Sequence, residues 1–117
     1  MRIGFVLLAA APLLAALPAQ AQDNAVASTQ IARGDYSQAE SKLLGELRVH
    51  PGRPELLLNL AAVYVNTGRT DEARALYTKV LSKDDVLMDV TVDRTAGSHM
   101  LAQRGLRRLE TVQFTAR

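Results

Sequence analysis

The sequence predicts a mainly α-helical protein, built from short antiparallel helix pairs and closed by a C-terminal strand–helix cap. Three observations lead there. Apolar residues recur at helical spacing on both sides of Gly68. A shift of 34 residues carries Gly68 back onto Gly34 and Ala73 back onto Ala39. Beyond Ser82 that periodicity gives way to apolar–polar alternation and then to one last amphipathic stripe.

The helix pair at residues 54–81 is the clearest element. Leu57, Leu60, Ala61 and Tyr64 stand at i, i+3, i+4 and i+7, one stripe of a helix that must be buried. Leu56, Leu58, Val63 and Val65 widen the apolar surface, as expected of a helix held between its partner and a neighbouring hairpin. Pro54 suits the first turn, where its missing N–H has no intrahelical acceptor, and Gly68 suits the left-handed residue that ends the helix. The second helix is expected to begin at Thr70 as N-cap, with Asp71 and Glu72 at the positive end of the helix dipole and Lys79 and Lys83 at the other. Its buried stripe is Ala73, Leu76, Tyr77, Val80 and Leu81; Ala73 is small where the two backbones come closest.

In the 34-residue shift Tyr36 falls under Thr70, Leu43 under Tyr77 and Leu47 under Leu81, and Pro51 closes the unit. Ser37 and Glu40 have capping-box spacing, and Gly45 weakens the helix by about 1 kcal/mol relative to alanine. The first half of this earlier unit is degenerate, with Asp23, Val26, Ala27 and Gln30 at the core positions, so a short polar helix is expected over residues 24–32. Residues 50–54, His-Pro-Gly-Arg-Pro, forbid a continuous helix between the units.

The pattern Leu57, Leu60, Ala61, Tyr64, then Ala73 and Tyr77, with Gly34, Ala39 and Pro51 repeating it one period earlier, resembles the tetratricopeptide repeat over residues 22–85, most closely over 54–85. The resemblance implies a fragment of an α–α superhelix whose first helices line a concave groove that holds a protein or peptide. It places Glu55, Leu58, Asn59, Ala62 and Asn66 on that face. It also sets Asn59 where some members grip a terminal carboxylate, but Asn24 and Ser28 stand where a preceding repeat would supply contacts, so a full carboxylate clamp is not expected.

Residues 1–21 read as an export signal: Arg2 supplies the positive start, residues 3–17 the apolar core, and Ala19-Gln20-Ala21 a small-x-small cleavage site. Cleavage would place the mature start at Gln22, in the periplasm or outside the cell. An uncleaved anchor is disfavoured, because the apolar run is shorter than the roughly 20 residues needed to span and contains Pro12. The remaining 96 residues carry 13 basic and 12 acidic side chains, a balance that demands neither nucleic acid nor an acidic surface. With no cysteine there are no disulfides and no thiolate metal sites.

Residues 86–92 nearly alternate, Val86, Met88, Val90 and Val92 against Leu87, Asp89, Thr91 and Asp93, and predict a half-buried strand that Leu87 interrupts. Residues 94–97 are turn-like. Ser98 is a candidate N-cap for a last helix with Leu101, Ala102, Gly105, Leu106 and Leu109 on one stripe and Gln103, Arg104, Arg107 and Arg108 on the other. Leu101, Leu106 and Leu109 are expected to cover the helix pair at 54–81, since repeat units cannot bury their apolar faces alone. Residues 111–117 are either a frayed tail or a short strand beside residues 86–92.

No catalytic, cofactor or metal site is expected. Ser98-His99 pairs a hydroxyl with an imidazole, but without an acidic third member or an oxyanion signature. His50 and His99 lie in no ligand-spaced cluster. Arg94, Arg104, Arg107, Arg108 and Arg117 face only Glu110 over the last 24 residues. They either hold an anionic partner or, the preferred reading, form a solvated helix face. These features predict a non-enzymatic adaptor for a protein or peptide; the rival expectation is a self-associating subunit of an envelope complex, for which a homo-oligomer is the natural form.

Overall fold

The computed structural model describes residues 30–91 and 93–115; the expected export signal, the mature start at Gln22 and most of the degenerate first helix lie outside them. After helical residues 30–32 come α1 (Tyr36–Val49), α2 (Pro54–Asn66), α3 (Thr70–Leu81), β1 (Leu87–Thr91), β2 (Arg94–Gly97) and α4 (Ser98–Thr115). The chain is mainly helical, and the helices pack in chain order, α1 on α2, α2 on α3 and α3 on α4, with α4 also reaching α2.

The turns work as their residues require. Gly34 and Gly68 take positive φ, +79° and +75°, where a Cβ would be strained. After α2 the Gly68 N–H bonds the Val65 carbonyl and the Arg69 N–H reaches back to Tyr64, so the exposed helix end is satisfied by the turn itself. Pro54 sits in the first turn of α2 after Arg53 in extended conformation.

Two expected caps are not made. Thr70 is the first helical residue of α3, preceded by Arg69, and no side chain caps it. Ser37 lies inside the first turn of α1, and Glu40 does not reach back to close a capping box. The Glu40 carboxylate instead accepts from the Arg69 guanidinium at 2.6 Å. Arg69 also makes a bidentate pair with Glu72, at 3.1 and 2.7 Å, and lies 4.0 Å over the Tyr64 ring. A charge-assisted bond outcompetes a neutral backbone donor for the same carboxylate.

The core is continuous from α1 to α4. Ala39 and Leu43 of α1, Leu56, Leu57, Leu60, Ala61, Val63 and Tyr64 of α2, and Ala73, Tyr77 and Val80 of α3 are buried with Ala102 and Leu109 of α4. Leu47, Leu76, Leu81 and Leu106 pack against this cluster partly buried. Each large side chain so covered contributes about 1.5–3 kcal/mol. The residues expected to mark the repeat thus fall in the core or in turns, with Pro51 exposed between α1 and α2.

The C-terminal part departs from expectation in two places. Residues 94–97 are not a turn but the second strand of an antiparallel hairpin, with Leu87 opposite Gly97, Met88 opposite Ala96 and Asp89 opposite Thr95, and an irregularity between Asp89 and Thr91. The Ser98 N–H donates to the Val86 carbonyl at 2.8 Å and closes the open end of this hairpin. The strand is also less covered than alternation implied, since Val86, Leu87 and Val90 are all exposed. Residues 111–115, expected as a tail or a strand, continue α4, where neither glycine nor proline interrupts the helix.

Gly105 is where α4 meets α3. A Cβ built on it would stand 2.3–2.7 Å from three carbons of the Tyr77 ring, closer than contact allows, so glycine lets this ring lie on the α4 backbone. Gly105→Ala should therefore destabilise by about 1–3 kcal/mol through overpacking, although alanine is about 1 kcal/mol better in a free helix. Urea denaturation checks this: Tyr77→Leu in the same background should recover part of the loss, and an unchanged or raised midpoint for Gly105→Ala would contradict the contact.

Candidate functional site

Burial of one stripe of α2 dictates what the opposite side displays. With Leu57, Leu60, Ala61 and Tyr64 turned into the core, Glu55, Leu58, Asn59, Ala62 and Asn66 follow at i, i+3, i+4, i+7 and i+11 along the other side. All five line one open groove of about 660 Å³. Leu58, Asn59 and Ala62 are half-buried there, and Asn66 is exposed. The Asn66 amide donates one N–H to the Ala62 carbonyl at 2.7 Å, which leaves its second N–H and its oxygen for a partner.

The other walls come from outside the repeat pattern. The α4 helix supplies Leu101, Arg104, Gly105 and Arg108; β1 supplies Met88, Asp89 and Val90; Tyr77 of α3 lies between them. Sequence reasoning missed these residues as groove members, because a period of 34 says nothing about how a non-repeating segment docks. One signal was present: Leu101, Arg104 and Arg108 stand at i, i+3 and i+7, beside the glycine of the apolar stripe.

The groove is mixed in charge. Glu55 and Asp89 contribute carboxylates, Arg104 and Arg108 guanidinium groups. An adjoining depression shares Val65, Arg104 and Arg108 with it and adds Arg107, Leu109 and Thr111, so the basic side chains gather around Val65, near the C-terminal end of α2. Among the described residues no carboxylate pairs with Arg104, Arg107 or Arg108. Burial pushes the Tyr77 phenol above its ordinary pKa, an effect the Arg108 charge partly offsets, so this wall presents a neutral aromatic ring at physiological pH.

The Ser98-His99 pair is built for another purpose. Ser98 is fully buried, its hydroxyl accepting the Val86 N–H at 2.9 Å and donating to Asp85 at 3.3 Å. The His99 ring places Nε2 at 2.6 Å from the Lys83 carbonyl, and no nucleophile–base bond to Ser98 is formed among the described residues. Ser98 is therefore not the cap of α4. Asp85 takes that role from thirteen residues upstream, accepting the His99 backbone N–H at 3.0 Å. Among the described residues no group of His, Asp or Glu is arranged to hold a metal ion.

The His99 N–H, helped by the His99 ring's charge and the Ser98 hydroxyl, holds the Asp85 carboxyl below the usual carboxylate range. A lowered folded-state pKa means a contribution that is complete above the unfolded value of about 3.9 and fades as pH falls through the lower folded value. Asp85→Asn should thus melt below the parent at about pH 7, and the gap should narrow on acidification to about pH 3. Thermal melts at both pH values check this, and a gap independent of pH would show that the carboxylate charge is not what anchors α4.

A family model described as tetratricopeptide repeat matches residues 30–86, which span α1, α2 and α3. Neither the comparison with curated proteins nor that with solved structures finds a match. Repeats of this kind generally mediate protein–protein interaction. The match, the two positive-φ glycines one period apart and the continuous helical core agree, and residues 30–86 form a tetratricopeptide-repeat region.

Proposed function

We propose that this protein is an exported, non-enzymatic adaptor of the cell envelope that holds a segment of another protein in the groove between α2, β1 and α4. One observation carries the reading: the α2 face displayed by the repeat is left open, and the C-terminal hairpin and helix add a second wall to it without filling it. A half-buried floor of Leu58, Ala62, Tyr77 and Leu101 with polar groups at its margins suits a peptide, since apolar side chains supply affinity and amides fix register. Residues 1–21 support export by their pattern of positive start, apolar core and small-x-small site. Among the described residues no helix is long and apolar enough to cross a membrane. The mass of the protein recovered from osmotic-shock fluid tests this part, a start other than Gln22 counting against it.

A second reading, self-association into an envelope assembly, draws on the apolar side chains that the hairpin exposes, Leu87 at 73% and Val90 at 45%. Light scattering separates the two. The adaptor reading expects a monomer at high concentration, and a dissociable oligomer lost in Leu87→Lys would favour assembly instead.

Panning a random peptide library against the mature chain tests the groove. Enriched peptides should lose binding to Ala62→Gln, which fills the groove from a half-buried position, while that variant keeps the parent's melting behaviour. Peptides that bind parent and variant alike would place the partner site elsewhere.

A further inference from the structure

We infer that the groove selects a peptide segment with carboxylate side chains next to an apolar residue, and that Arg104 and Arg108 of α4 read the carboxylates. This rests on the reading that the groove is the partner site, and it names the chemistry of the occupant. The first observation is charge without internal use. Arg104, Arg107 and Arg108 are exposed on one side of α4, and among the described residues no carboxylate meets them. Arg69, by contrast, is engaged by both Glu40 and Glu72.

The second observation is position. Arg104 and Arg108 are one helical turn apart and line the groove beside its apolar floor, and together with Arg107 they surround Val65. A segment that seats an aliphatic side chain on Leu58 and Leu101 therefore has two planar guanidinium groups within one turn of helix to meet its carboxylates. Guanidinium groups bind carboxylates through paired, geometrically specific hydrogen bonds.

The third observation decides between anions. Glu55 and Asp89 line the same groove but not the depression where the three arginines gather. A uniformly charged polyanion laid along the groove would set phosphates against those carboxylates, whereas a peptide with acidic residues at one end only avoids them. The family match ends at residue 86, so this basic wall lies outside the matched repeat region.

Fluorescence anisotropy with the mature chain tests the inference on four labelled probes of equal length. One carries Leu-Leu followed by three Glu, the second has Gln in place of Glu, the third has Lys, and the fourth is a single-stranded oligodeoxynucleotide. The Glu peptide should bind best, weaken steeply with added salt, and lose about tenfold or more in affinity on changing to Gln. Arg104→Gln with Arg108→Gln should cost the Glu peptide a similar factor and leave the Gln peptide unchanged, while melting stays at the parent value. Equal binding of the Glu and Gln peptides, both lost in Ala62→Gln, would overturn the acidic preference and leave the groove reading intact. Glu-peptide binding that depends on the arginines but survives Ala62→Gln would overturn the seat on the groove floor. Oligonucleotide binding as tight as that of the Glu peptide, or no binding of the Glu peptide, would overturn the inference.

Discussion

The Tyr77 ring lying on the backbone of α4 at Gly105 is the contact on which the rest of the architecture depends. A tetratricopeptide hairpin leaves one side of its helix pair uncovered, and in a longer array the next repeat would fill that side. Here α4 does so, and the distance between α3 and α4 is set by an aromatic ring with no side chain opposing it. The same ring forms part of the groove, so the contact that closes the core also sets how far Arg104 and Arg108 stand from the face of α2. A bulkier residue at 105 would push α4 outward and change the groove as well as the core.

At the other end the constraint is ionic. Arg69 joins Glu40 of α1 to Glu72 of α3 and covers Tyr64 of α2, touching three helices from a single turn position. Its flexible stem brings the charge from the loop after Gly68 to a carboxylate 29 residues earlier in the chain. The Glu72 carboxyl is held below its usual range by this bond, while burial raises the Tyr64 phenol against the opposing pull of the Arg69 charge. Such exposed pairs add little one by one. A guanidinium that meets two carboxylates and a ring at once adds orientation, which fixes α1 against α3 where α1 otherwise rests mainly on α2.

What was legible in the sequence is what depends on neighbours three and four residues away or one period away. The buried stripe of α2, the small Ala73 and the glycine turns all follow from such spacing, while the face at Glu55, Leu58, Asn59, Ala62 and Asn66 came from the family resemblance. What was missed depends on partners that spacing does not relate. Asp85 caps α4 across the hairpin, Glu40 is drawn from its own helix start to Arg69, and residues 94–97 become a strand because Ser98 and Val86 bond each other in both directions. Gly105 was visible on the apolar stripe, but the ring that explains it came into view only with the packing of α3 against α4.

The division of labour across the proposed site follows from the same geometry. The repeat contributes an amide-lined, half-buried face, while its charged residues at positions 40, 69 and 72 are consumed in holding the helices together. The positive charge of the groove comes from outside the repeat, from Arg104 and Arg108 of α4, while its carboxylates come from both, Glu55 of α2 and Asp89 of β1. In the proposed site the scaffold is carried by the repeat and the preference for carboxylates by α4. Substitutions on the exposed side of α4 can then change which peptide is preferred without disturbing the core residues Ala102 and Leu109 on its other side.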